Sequence, residues 1–97
     1  MNIYIPDSVI NIGESAFEYC ENLKSVVIGN SVIKIGKHAF ASCENLEKVV
    51  IGNSVTNIGK CAFYGCDNLK RVVIPKGSKE KFKNMLCSRF AAKLFEE

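Results

Sequence analysis

No apolar run in the chain approaches the roughly 20 residues that a bilayer-spanning helix requires, so membrane insertion is not expected. The opening Met-Asn-Ile-Tyr-Ile-Pro lacks both the basic start and the long apolar stretch of a secretory signal. A charge excess of either sign is missing over most of the length. Residues 1–75 carry seven basic and seven acidic side chains, and the whole net charge of +3 falls in the last 22 residues. A neutral body without a basic stripe and interleaved aromatics argues against a nucleic-acid partner. There are two prolines and a single histidine, His38. One histidine leaves little from which to build a metal centre or a histidine-assisted nucleophile. The 97 residues are enough for one domain, and 47% of them are hydrophobic, as in a packed soluble protein.

What is present is repetition. Three copies of a 23-residue unit start at Ile5, Ile28 and Ile51, and a fourth opens at Ile74 and stops after Pro75. Each copy reads Ile-x-x-Ser-Val-x-x-Ile-Gly-x-x-Ala-Phe-x-x-Cys-x-Asn-Leu-x-x-Val-Val, and 12 of the 23 columns are identical in all three. A unit this short cannot enclose a core by itself, so the copies must stack. The expected fold class is an α/β solenoid with short parallel strands, short helical turns and a helix over its carboxy-terminal end. Two regions follow: a repeat body over residues 1–75 and a helical cap over residues 76–97.

Each copy divides into three sides. The segments Leu23–Ile28, Leu46–Ile51 and Leu69–Ile74 are rich in β-branched residues and predict one parallel strand per coil. Ser-Val-x-x-Ile-Gly predicts a second extended side, with Gly13, Gly36 and Gly59 at a corner that needs either positive φ or close backbone approach. Ala-Phe-x-x-Cys predicts a helical turn that points Phe and Cys inward. Asn22, Asn45 and Asn68 follow it and are expected to hydrogen-bond main chain at the bend. Cys20, Cys43 and Cys66 share one column and are read as a ladder of reduced, buried thiols, because side chains stacked in parallel do not point at one another. In the tail, Ser78 is expected to N-cap a helix whose apolar stripe is Phe82, Met85, Leu86 and Phe90. Lys93 to Glu97 reads as a short extended segment.

Strand alternation leaves a second set of side chains outside. The resulting candidate protein-binding face is Lys24, Ser25 and Val27, then Glu47, Lys48 and Val50, then Lys70, Arg71 and Val73. Tyr4, Val27, Val50 and Val73 form an apolar ridge on it. Such a ridge is either a contact stripe or a consequence of the β-branched preference of strands. At the amino terminus, Ile3, Tyr4 and Ile5 form a strand edge suited to self-association in a homodimer. Ser15, His38 and Cys61 stack in one column, but they supply neither a third metal ligand nor a pocket that excludes water. No catalytic residue, metal site or cofactor is therefore expected.

The pattern from Ile5 to Val27, repeated in register to Val73, resembles the 23-residue class of leucine-rich repeats known as BspA-like repeats. The resemblance covers about three quarters of the chain, and Pro75-Lys76-Gly77-Ser78-Lys79-Glu80-Lys81-Phe82 resembles the terminal cap of such proteins from anaerobic bacteria. It implies the carboxy-terminal portion of a right-handed solenoid on a bacterial surface, non-enzymatic, binding host proteins or other cells. It implies a cell-surface or secreted location; the absent signal would instead place a complete 97-residue product in the cytoplasm. The alternative role is structural: a terminating piece for a longer array, with no ligand of its own.

Overall fold

The computed structural model describes residues 1–86 and 88–97, with the main chain alone at positions 88, 89 and 91. In chain order the strands are β1 (Asn2–Ile5), β2 (Asn11–Ile12), β3 (Ser25–Ile28), β4 (Lys34–Ile35), β5 (Lys48–Val50), β6 (Asn57–Ile58) and β7 (Arg71–Ile74). A helix α1 (Lys79–Met85), a 3₁₀ segment (Ser88–Lys93) and a final strand β8 (Leu94–Glu96) follow. Two parallel sheets result, one ordered β1-β3-β5-β7-β8 and the other β2-β4-β6. Their register steps by one repeat: Tyr4 lies beside Val27, Val27 beside Val50, and Val50 beside Val73.

Alternation within the larger sheet sorts the side chains as the pattern requires. Val26, Val49 and Val72 are fully buried, and Leu23, Leu46 and Leu69 nearly so. The phenylalanine column runs through the interior. The rings of Phe17 and Phe40 stack with centroids 5.2 Å apart, and those of Phe40 and Phe63 at 5.4 Å. Phe90 closes the column edge-on, 6.4 Å from Phe63.

The Ala-Phe-x-x-Cys sides are not helical turns. Their amides alternate between two partners. Ala16, Glu18 and Cys20 bond back three residues within the coil, while Ser15, Phe17 and Tyr19 donate to Lys37, Ala39 and Ala41 of the next coil. A helix would direct all its N–H groups along its own axis and leave the coils unjoined on this side. The alternation instead requires left-handed backbone at Ser15, His38 and Cys61 (φ 57, 58 and 60) and at Tyr19 and Ser42 (φ 64 and 59), with Gly65 in the third copy. Each such non-glycine residue carries a conformational cost of about 1–3 kcal/mol, offset at Ser15, Tyr19, His38 and Ser42 by an N–H bond to the adjacent coil.

Of the two readings of the Ile-Gly corner, close approach is the one found. A Cβ on Gly36 would lie 2.6 Å from the Glu14 nitrogen, and one on Gly59 would lie 2.3 Å from that of Lys37. Two of the three bend asparagines bond main chain as expected: Asn45 Nδ2 donates to the Glu21 carbonyl and Asn68 Nδ2 to that of Glu44, both at 2.7 Å, whereas the Asn22 side chain makes no such bond among the described residues.

The tail departs from its sequence pattern in two places. The Ser78 hydroxyl donates to the Pro75 carbonyl instead of accepting from the helix. The first-turn donor Lys79 N–H finds the Glu96 carboxylate at 2.9 Å, a partner 17 residues away that no local motif could reveal. The helix also ends at Met85, so Phe90 reaches the core from the 3₁₀ segment and not from the helical stripe. Phe82, Leu86, Phe90 and Leu94 share one buried cluster with Val72 and Ile74. The extended end is present as β8, which pairs parallel with β7.

Candidate functional site: the outer face of the five-stranded sheet

The outer face is assembled from columns 23 residues apart. Lys24, Glu47 and Lys70 are all exposed and form one column of alternating charge. The main chain holds it in place: Glu47 N–H donates to the Lys24 carbonyl at 2.8 Å, and Lys70 N–H to that of Glu47 at 2.9 Å. Ser25, Lys48 and Arg71 form the next column, extended by Asn2, whose Oδ1 accepts from the Ser25 hydroxyl at 2.7 Å.

The third column is the apolar ridge. Tyr4 is 61% exposed and Val27 37%, while Val50 is half-buried. Val73, expected on the surface, is only 3% exposed. The reason lies in β8, which sets Phe95 directly beside Val73 and so encloses it between Phe95 and Val50. Phe95 takes over the outward role at 44% exposure. Its ring also carries the Arg71 guanidinium 5.0 Å above the centroid, and Arg71 reaches Glu97 at 3.7 Å. Both members of that ion pair are well exposed, so its worth is small, about 0–1 kcal/mol. With strands about 4.8 Å apart, the ridge from Tyr4 to Phe95 spans about 19 Å. Phe95 was not among the sequence-derived face residues. The alternation in Leu94-Phe95-Glu96 hinted at a strand, but its place beside β7 depends on how the tail returns.

The proposed self-association edge divides similarly. Tyr4 is exposed, Ile3 half-buried and Ile5 buried at 6% exposure. β1 is an edge strand of its sheet.

The Ser15, His38 and Cys61 column is stacked by main-chain bonds, with His38 and Cys61 half-buried. Among the described residues, no three His, Cys, Asp or Glu side chains converge on a metal-binding geometry. In the cysteine ladder, Cys43 and Cys66 are buried and Cys20 half-buried, all free thiols. Each buried S–H has a carbonyl acceptor at 3.1 Å, Phe17 for Cys43 and Phe40 for Cys66. The contact with Cys43, and then burial, push the Cys66 pKa up. Burial, and then the neighbouring Cys43, raise that of Cys20. Cys87 lies outside the described residues. No described helix is long and apolar enough to cross a membrane.

No curated protein matches the chain. Among solved structures it is similar to a leucine rich cell surface protein from Faecalibacterium prausnitzii A2-165, with 29% identity and a TM-score of 0.47. That match covers 76% of this chain and 26% of the other, so the chain spans about a quarter of that protein's length. The family model described as BspA type Leucine rich repeat region (6 copies) matches residues 1–92. Stacked 23-residue coils with a strand register of one repeat are thus those of a BspA-type leucine-rich repeat protein, the family to which this chain belongs.

Proposed function

We propose that the chain is a non-enzymatic binding module of a bacterial surface protein and that it contacts a protein ligand through the outer face of the five-stranded sheet. The observation that carries the reading is the ridge from Tyr4 to Phe95, apolar and in register across five strands, flanked by the Lys48–Arg71 column. Exposed aromatic residues beside arginine are the side chains that most often dominate protein–protein binding energy. The surface location and the adhesive role rest on family membership. The test is a screen of host proteins and glycans against the 97-residue chain, repeated with Tyr4→Ser and Phe95→Ser combined. A protein ligand that loses at least tenfold in affinity, about 1.4 kcal/mol, with the melting temperature unchanged, supports the sheet face. Ligands that bind the double variant as well as the parent place the contact elsewhere.

A second reading, a terminating element for a repeat array, is favoured by the tail. Residues 76–97 would act as a cap on the right-handed coil of residues 1–75. Phe90 ends the phenylalanine column edge-on, and β8 ends the larger sheet. In this reading the tail supplies solubility and the sheet face has no ligand.

A further inference from the structure

The turn sides show twice over what lies against a coil of this protein. N–H groups of Ser15, Phe17 and Tyr19 donate to the carbonyls of Lys37, Ala39 and Ala41 at 2.9, 2.7 and 2.9 Å. Those of His38, Phe40 and Ser42 donate to Lys60, Ala62 and Tyr64 at 3.3, 2.7 and 2.6 Å. In the third coil the same comb recurs as the N–H groups of Cys61, Phe63 and Gly65, and none of them has an acceptor among the described residues. Around the corner, the carbonyls of Ile10, Ile12, Ile33 and Ile35 accept from the following coil, while their counterparts on Thr56 and Ile58 accept nothing among the described residues. The tail explains the asymmetry: β8 continues the larger sheet, but the smaller sheet stops at β6. A cleft of about 310 Å³ is left between Ile58, Cys61 and Phe63 on the coil and Met85, Leu86 and Phe90 on the tail. Ile58 is half-buried, whereas Ile35, with a coil on either side, is fully buried.

We propose that this cleft binds a peptide segment from another polypeptide, bent at the corner as the repeat itself is, as a fourth layer on the third coil. The peptide's carbonyls would face Cys61, Phe63 and Gly65, and its amides would face Thr56 and Ile58. A small apolar molecule could fill the volume but would leave those five main-chain groups without partners. A peptide backbone satisfies both requirements, as in strand addition to an exposed sheet edge. The chemistry of the peptide follows from the two layers already in place. Residues 36–42 and 59–65 occupy this comb on the first and second coils, each with a buried alanine, Ala39 and Ala62. A repeat-like segment therefore fits, with one change. The position facing Phe63 is taken by Phe90, so the bound segment carries a small side chain where the repeat has phenylalanine. This site is separate from the outer sheet face.

The probe is a 12-residue peptide with the sequence of residues 32–43 and Phe40→Ala, titrated under reducing conditions into the ¹⁵N-labelled 97-residue protein. The expected result is saturable shifts of the Cys61, Phe63 and Gly65 amides, with slowed hydrogen exchange there and unmoved signals at Val27 and Val50. The peptide retaining phenylalanine should bind at least tenfold more weakly. The proposal is overturned if the three amides do not respond, if a scrambled peptide binds equally, or if only the sheet-face signals move. The last outcome would leave the sheet-face reading standing.

Discussion

Phe40 has a ring on either side and no exposed surface, whereas Phe17 is half-buried with one stacked neighbour. Phe40→Ala should therefore lower unfolding free energy by about 3–5 kcal/mol, in the range for large-to-small core changes. Phe17→Ala should cost clearly less, and equal urea midpoints for the two variants would contradict the stack. Titration supplies a second residue-scale prediction. Because the Cys66 pKa is raised, the native thiol keeps its proton where the unfolded chain's thiol, near its ordinary value of about 8.5, has lost it. Its contribution to stability is complete below that value and declines as pH rises through and above it. The same contact lowers the pKa of its partner Cys43 to about 7, which adds stability as pH rises up to the ordinary thiol value. Urea midpoints should therefore fall only above about pH 8.5, and Cys66→Ala should flatten that fall. A variant with the same slope as the parent would remove Cys66 from the explanation.

At the scale of the element, the coil-to-coil contact decides which glycines are needed. Gly36 sits against Glu14 on the preceding coil, but Gly13 has nothing within 4 Å of the position a Cβ would take. Gly36→Ala should cost about 1–3 kcal/mol, as other overpacking changes do, while Gly13→Ala should be tolerated. Thermal unfolding of the two variants checks this, and equal melting temperatures would mean that the coils do not touch there. The turn sides carry the contrasting lesson. Spacing of Ala, Phe and Cys suits a helical turn, yet the main chain is turned out of it so that alternate amides reach the next coil. Ser15, His38 and Cys61 show no glycine that would announce the left-handed backbone they adopt.

For the whole molecule, the tail is tied to the repeats by several unlike contacts. Lys93 Nζ donates to the Leu69 carbonyl at 2.7 Å, and Glu97 N–H to that of Ile74 at 3.0 Å. Phe82 and Leu94 are buried in the same cluster as Val72. Deleting residues 79–97 should strip cover from these core side chains, each worth about 1.5–3 kcal/mol when buried. It should also free the far edge of β7 for pairing with another chain. Aggregation of the truncated protein, followed by light scattering, is the expected outcome. A monomer as stable as the parent would rule out the proposed capping role.

The 23-residue period, read from the sequence alone, was sufficient for the stacking, the strand of each coil, the inward Leu, Val and Phe columns, and the family. Those features repeat, and a repeat writes its core in register because each coil must match the one beside it. Lys24, Glu47 and Lys70 also share one repeat column, and all three are exposed where they precede their strands. What the sequence could not show happens once, where the repeat stops. Glu96 finding the start of α1, Phe95 covering Val73, Phe90 entering from a 3₁₀ segment and the open edge of β6 all depend on the path of the returning tail. They join residues far apart in the chain with no periodic partner to announce them, so only the tertiary structure decided where the exposed ridge ends and which main-chain groups stay unpaired.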